Sequence, residues 1–111
     1  MNIKIVTEKI TRAEAKEIGK DFYKEMVKGV VDIERSIVAL GGEYHIDANM
    51  ALIGYGSEQK NIWGFNFYPD ESLIQYTSLI NIRPLQNNRV IEIQDENLRK
   101  KIEKIIRKII V

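Results

Sequence analysis

The sequence predicts an α+β domain in which a long N-terminal helix, an antiparallel meander of three or four strands and a C-terminal helix follow one another. Three observations predict this fold class. Apolar residues recur at intervals of three and four between residues 15 and 40, a period of two begins near residue 43, and a second helical stripe follows residue 95. We expect the 111 residues to form one globular domain, residues 1–111, whose two helices cover one face of the sheet.

The first helix is predicted from Thr11 to about Leu40. Thr11 and Glu14 have the spacing of a capping box, in which the threonine side chain accepts from the Glu14 N–H and the glutamate reaches back. Gly41 and Gly42 then supply a C-terminal stop. The apolar stripe between these signals consists of Ala15, Ile18, Phe22, Met26, Val30, Ile33, Ile37 and Leu40.

A competing interpretation ends this helix near Gly29 and makes Val30 to Leu40 a strand, because that segment is rich in Val and Ile. The two interpretations place Glu34 differently. On a helix, Glu34 points into the apolar arc and needs a partner, for which Arg83 and Arg89 are the candidates. On a strand, Glu34 lies on a solvated face and needs none.

The sheet is predicted from residue 43 onwards, where Tyr44 and Ile46 alternate with polar residues. The apolar run Met50–Ile53 and the segment Ile62–Tyr68 are expected to form a hairpin, and a turn at residues 69–72 leads to a further strand, Gln75–Arg83. The alternating aromatic residues of the second strand are Trp63, Phe65 and Phe67. Aromatic residues on both faces predict a second cover for the sheet, and we expect a homodimer through that face.

The last helix is predicted to begin after Asp95, which has the character of an N-cap. Its positive charges between Arg99 and Lys108 suit the outer face and the C-terminal end of the helix dipole. Its core-facing residues are Leu98, Ile102, Ile105, Ile106 and Ile109.

Composition narrows the function classes. Seventeen lysines and arginines against 16 acids leave a net charge of +1, which argues against a strongly basic nucleic-acid binder. The chain has no cysteine, which fits a reducing compartment, and the expected localisation is cytoplasmic. No apolar run approaches the roughly 20 residues of a membrane span. Neither a membrane nor a cofactor is expected as a partner.

Four polar residues stand in and just after the last predicted strand, where a strand does not need them to fold. They are Asn81, Arg83, Asn88 and Arg89. Their amides and guanidinium groups offer hydrogen-bond donors suited to a carboxylate or a phosphate. They serve equally well to tie down a loop. Asn66 has the same two possible roles, ligand binding or fixing a loop. It is predicted on the strand face opposite to that of Phe65 and Phe67, in a position to pair with Asn81.

His45 and Asp47 are two residues apart in a predicted strand and therefore lie on one face, where both can meet one ligand. His45 is the only histidine, so a metal site would need oxygen ligands from Asp47, Glu43 or Glu34. Such a site is weak, and we predict none. A single histidine and aspartate at this spacing more commonly form hydrogen bonds within a turn than a catalytic dyad.

Three blocks of the sequence together resemble a small prokaryotic family that is known only as a domain of unknown function. They are residues 41–47 (GGEYHID), 63–69 (WGFNFYP) and 80–89 (INIRPLQNNR). The family pattern is Gly-Gly-Glu-x-His-x-Asp, Trp-Gly-x-Asn-x-x-Pro and Asn-x-Arg-Pro-x-x-x-Asn-Arg. The family typically has a proline after the aspartate that opens the last helix, whereas Asp95 is followed by Glu96. The resemblance spans nearly the whole chain, implies a stand-alone protein and implies no known chemistry.

The leading interpretation is a cytoplasmic domain that self-associates and binds a small anionic ligand in a polar pocket. The residues expected to line this pocket are Glu34, His45, Asp47, Asn81, Arg83, Asn88 and Arg89. In the alternative, a hydrolase-type enzyme, His45 is the general base, Asp47 orients it, and the two arginines hold an anionic substrate. A third class is an RNA-binding or protein-binding adaptor. Whether the protein is an enzyme stays open at this point.

Overall fold

The computed structural model describes residues 2–111, in which five strands form one antiparallel sheet in the order β1-β3-β2-β4-β5. The strands are β1 Ile3–Val6, β2 Val27–Asp32, β3 Ile37–Gly41, β4 Ile62–Tyr68 and β5 Leu73–Gln75. The helices are α1 Arg12–Gly19, α2 His45–Gly54 and α3 Glu96–Ile109. Single 3-10 turns lie at Gln59–Asn61, Leu79–Asn81 and Pro84–Gln86.

Helices cover both faces of the sheet, not one as predicted. α1 and α3 pack on the face that carries the aromatic residues of β4, such as Phe65 and Phe67. α2 packs on the opposite face, where Ala48 and Leu52 meet Val30, Ile37 and Ile62. The bare sheet face from which we expected a homodimer is therefore covered within the chain. Self-association remains a prediction, but an uncovered sheet face no longer supports it.

The α+β fold class is confirmed, but the long N-terminal helix is wrong. α1 follows β1 and ends at Gly19, and the rest of the predicted helix is the hairpin of β2 and β3. These are inner strands buried on both faces, so they read as apolar runs without clean alternation. In such runs, apolar residues recur at intervals of three and four although no helix forms. The competing interpretation of Val30 to Leu40 as strand has the right kind of element, but the segment belongs to two strands joined by a turn at residues 33–36, and the helix ends at Gly19 rather than near Gly29.

The predicted hairpin partner of β4 is also wrong, since residues 45–54 form α2. The chain enters α2 through Gly41 and Gly42, which have φ values of 115° and 91°, in the region that favours glycine. The Asp47 carboxylate then accepts from the Tyr44 N–H at 3.1 Å and fixes the first turn. The alternation of polar and apolar residues at 43–47 therefore belongs to the start of a helix and not to a strand.

The predicted helix starts of α1 and α3 and the predicted strand β4 are confirmed, whereas β1 was not predicted. Glu14 N–H donates to Thr11 Oγ1 at 3.0 Å and the Thr11 N–H donates to the Glu14 carboxylate at 3.1 Å, which completes the capping box of α1. Asp95 accepts from the N–H groups of Asn97 and Leu98 at the start of α3. β4 matches the predicted strand Ile62–Tyr68. No helix within residues 2–111 has the length and apolar character to cross a membrane.

The predicted strand Gln75–Arg83 is mostly a loop. β5 ends at Gln75, and residues 76–95, which we call the β5–α3 connection, make only single bridges such as Thr77 to Glu92. The connection lies on the α2 face of the sheet against Gly64, where an added Cβ would come within 2.5 Å of Ser78 Cβ. Glycine is therefore required at residue 64 for this close approach.

Candidate functional site

A pocket of about 370 Å³ opens on the α2 face of the sheet, between the first turn of α2 and the β5–α3 connection. We call it the Lys28 pocket. Its polar lining includes Lys28, His45 and Asn66, and its apolar lining includes Ile46, Leu79 and Ile91. The volume lies in the range of small-molecule sites.

Lys28 is a half-buried lysine on β2 that lies directly across from Asn66 on β4. Its Nζ is 3.5 Å from Asn66 Oδ1 and 5.3 Å from the centroid of the Tyr23 ring. Within residues 2–111, no carboxylate oxygen lies within 4.0 Å of this nitrogen. Burial lowers the pKa of Lys28. The pocket therefore holds an amine whose charge has no anionic partner in the described chain.

His45 is the first residue of α2 and is buried beside Lys28 in the same pocket. Its Nε2 lies 2.8 Å from the carbonyl oxygen of Phe65, so this nitrogen carries the proton and donates. Burial, followed by the charge of Lys28, lowers the pKa of His45 to about 4. The imidazole is therefore neutral at pH 7, with Nδ1 as its remaining lone pair.

Asn66 is held in one orientation by two contacts on opposite sides of its amide. Its Nδ2 donates to Gln75 Oε1 at 2.8 Å, which leaves Oδ1 on the side of Lys28. Asn66 does not pair with Asn81, contrary to one interpretation of the sequence. Its role in the pocket is to present a carbonyl oxygen to the lysine.

Asp47 does not orient His45. Its carboxylate caps the Tyr44 N–H, while the imidazole donates to the Phe65 backbone on the sheet. The two side chains lie on a helix rather than a strand, so the spacing of two does not place them on one face. Within residues 2–111, no group of three or more His, Cys, Asp or Glu side chains has the arrangement to hold a metal ion.

Asn81 and Asn88 are buried and bind backbone groups. Asn81 accepts from the Gly64 N–H at 2.8 Å and donates to the Gly64 carbonyl at 3.0 Å, as a neighbouring strand would. Asn88 donates to the carbonyls of Asn81, Val90 and Glu92 and accepts from the Gln94 N–H. Their amides tie down the β5–α3 connection and are not directed to the pocket.

The guanidinium group of Arg83 also serves the backbone. It donates to the carbonyl oxygens of Gln59, Lys60, Ile62 and Ile80 and stacks on Trp63, with 4.3 Å between Cζ and the ring centroid. It does not pair with Glu34, which is exposed in the turn between β2 and β3. Arg89 is exposed, and within the described residues its side chain makes no hydrogen bond or ion pair.

We expect Arg83→Ala to lower the free energy of unfolding by about 2 kcal/mol, because hydrogen bonds from a charged donor to several carbonyls are lost. Arg89→Ala is the matched control, and a surface change of this kind should stay within about 0.5 kcal/mol. Urea unfolding followed by circular dichroism measures both values. Equal losses in the two variants would contradict the difference in contacts.

Lys28 is absent from the residues predicted from the sequence, because a helix through residues 11–40 places it on the solvated outer face. One feature of the sequence pointed to Lys28. Lys28 is the only charged residue between Val27 and Val31, and a lysine inside a buried strand run requires an explanation. Of the residues that the sequence pointed to, His45 and Asn66 line the Lys28 pocket.

Comparison with known proteins adds one finding. The sequence profile of a family described as "Protein of unknown function (DUF5674)" matches residues 4–109. No curated protein and no solved structure matches the chain.

Proposed function

The chain belongs to the DUF5674 family of proteins of unknown function, and for it we propose the binding of a small organic anion with an apolar portion in the Lys28 pocket. The observation that carries this proposal is the half-buried amine of Lys28 without a carboxylate partner in the described chain. A buried cation is costly unless an opposite charge compensates it. A carboxylate or phosphate of a ligand supplies that charge.

The setting of Lys28 supports an anion. The first turn of α2 borders the pocket, and the N–H groups at a helix start favour negative charge, although Asp47 offsets part of this effect. His45 is neutral at pH 7 and adds no competing positive charge. Burial, followed by the charges of Glu43 and Asp47, raises the pKa of the Tyr23 hydroxyl, which donates to the Glu43 carbonyl.

The rim of the pocket supports an apolar portion in the ligand. Leu79 is 78% exposed and Ile46 is 49% exposed, and both line the pocket. Such side chains at the mouth of a concave site lose contact with water when an apolar group covers them. A ligand with one anionic head and a short apolar body fits both features.

The hydrolase alternative has less support from the geometry. His45 is a weak base with a pKa of about 4, Asp47 caps a helix, and Arg83 binds carbonyls of the chain. Exposed apolar side chains still support self-association. Leu85 is fully exposed, and Met50 lies one helical turn beyond Ile46 on the exposed side of α2. Anion binding remains the function that the pocket supports best.

A thermal-shift screen with hexanoate, benzoate and phenyl phosphate tests the proposal, with hexanol and benzyl alcohol as neutral counterparts. At tenfold excess over Kd, a bound anion adds about 1.4 kcal/mol and raises Tm by several degrees. Lys28→Met removes the charge, keeps most of the length of the side chain and should abolish the shift. Lys24→Met, at an exposed lysine, should keep it. The proposal fails if no anion shifts Tm at 10 mM, or if Lys28→Met retains the full shift.

A further inference from the structure

We infer that Lys28 is also a nucleophile, whose amine condenses with a small carbonyl compound that carries a carboxylate, such as a 2-oxo acid, to form an imine in the Lys28 pocket. This inference rests on the proposed anion site: the ammonium form of Lys28 attracts the carboxylate into the pocket, and after loss of a proton the same nitrogen attacks the carbonyl group. It assigns a substrate class and a covalent step to the pocket.

The contacts of Lys28 leave its nitrogen available. Nζ has one long hydrogen bond, 3.5 Å to Asn66 Oδ1, and a ring contact at 5.3 Å to Tyr23. Exposed lysines of the chain, such as Lys20 and Lys60, are in ion pairs, whereas Lys28 is in none within residues 2–111. An amine that is free of such a pair loses less interaction energy when it gives up its proton.

The position of Lys28 in the fold makes its backbone rigid. β2 is hydrogen-bonded to β3 on one side and to β4 on the other, so the root of the side chain is fixed. Burial lowers the pKa of the amine and raises its neutral share, which is the form that attacks a carbonyl. A desolvated lysine in a partly apolar pocket is the usual setting of imine chemistry in proteins.

The step balances without an added oxidant or reductant. The Nζ lone pair forms a bond to the carbonyl carbon, and the electron pair of the C=O π bond moves to oxygen, which takes up a proton. The resulting carbinolamine loses that oxygen as water while the nitrogen lone pair forms the C=N bond. Amine and carbonyl thus become imine and water, and a protonated imine retains the positive charge beside the carboxylate.

His45 lines the pocket beside Lys28 but is not the proton carrier of this step. Its Nε2 is engaged by the Phe65 carbonyl, so Nδ1 is the basic atom left on the ring. With a pKa of about 4, Nδ1 is too weak a base to keep a proton, so solvent in the open pocket takes the proton from the carbinolamine nitrogen and supplies the one that leaves with the hydroxyl. The Tyr23 hydroxyl donates to the Glu43 carbonyl and is not free for this role.

Trapping with glyoxylate and sodium cyanoborohydride tests the inference on the full chain. The reagent reduces the imine to a stable secondary amine, and peptide mass spectrometry locates it. We expect the adduct on Lys28 to accumulate about tenfold faster than on exposed Lys24 in the same sample, because the bound carboxylate holds the carbonyl near the nitrogen. Acetaldehyde, which lacks the carboxylate, should lose most of this preference.

The comparison within one sample does not depend on any variant folding. Lys28→Arg adds a second readout, because arginine keeps the positive charge but forms no imine under these conditions. This variant should show no adduct at residue 28, while exposed Lys24 reacts at its wild-type rate. If Lys28 reacts no faster than Lys24 while the benzoate shift persists, the nucleophile is refuted and anion binding stands. If Lys28 reacts no faster than Lys24 and benzoate causes no thermal shift, the nucleophile and the anion site are both refuted.

Discussion

Replacing Asn81 by alanine is expected to lower the free energy of unfolding by about 3 to 4 kcal/mol. Asn81 is 0% exposed, and its amide pairs with both the N–H and the carbonyl of Gly64, with a further contact to the Ile91 carbonyl at 3.3 Å. Alanine leaves these buried backbone groups unpaired. An unsatisfied buried group costs more than the hydrogen bond itself contributed.

The effect should extend to the Lys28 pocket, because Asn81 holds the β5–α3 connection that forms one wall of it. Urea unfolding gives the stability, and the benzoate thermal shift gives the binding. Asn97→Ala, at an exposed asparagine of α3, is the control and should stay within about 0.5 kcal/mol. A loss below about 1 kcal/mol for Asn81→Ala would contradict the structural role.

Lowering the pH from 7 to 4 is expected to reduce the free energy of unfolding by about 3 kcal/mol through His45 alone. The folded pKa of His45 is about 4 against an ordinary 6.5, and each unit corresponds to about 1.4 kcal/mol. As the pH falls below 6.5, the unfolded chain binds the proton first. Stability is therefore full above about 6.5, falls between 6.5 and 4, and levels off below that range.

Denaturant titrations at several pH values measure this dependence. Carboxyl groups contribute at the acid end, and Glu14, whose pKa is lowered by its hydrogen bonds to Thr11, adds a loss in the same direction. The difference between wild type and His45→Gln isolates the imidazole, because glutamine keeps a donor and does not titrate. If this difference is the same at pH 7 and pH 4.5, His45 is not buried in its neutral form.

Three local signals of this fold follow from the sequence alone. The capping box at Thr11, the N-cap at Asp95 with its isoleucine stripe, and the alternating aromatics of β4 were each predicted where the structure has them. Each signal involves residues within one or two helical turns or one strand. Such short-range patterns are set by hydrogen bonding and periodicity that need no distant partner.

The inner strands were not predicted in the same way. β2 and β3 are buried on both faces, so burial removes the polar and apolar alternation that identifies a strand. The segment Gln75–Arg83 shows the opposite case. It has strand-like alternation, yet beyond Gln75 it forms a loop, and the side chain of Asn81 takes the hydrogen bonds that a strand would offer to Gly64.

The candidate site depended on tertiary structure almost entirely. The sequence determined the family, the fold class and the N-caps of α1 and α3, and it singled out His45 and Asn66. Only the register of β2 against β4 places Lys28 across from Asn66, 38 residues away, and only the packing of α2 on the sheet brings His45 to them. Residues so far apart meet through long-range packing, which leaves no periodic trace in the sequence.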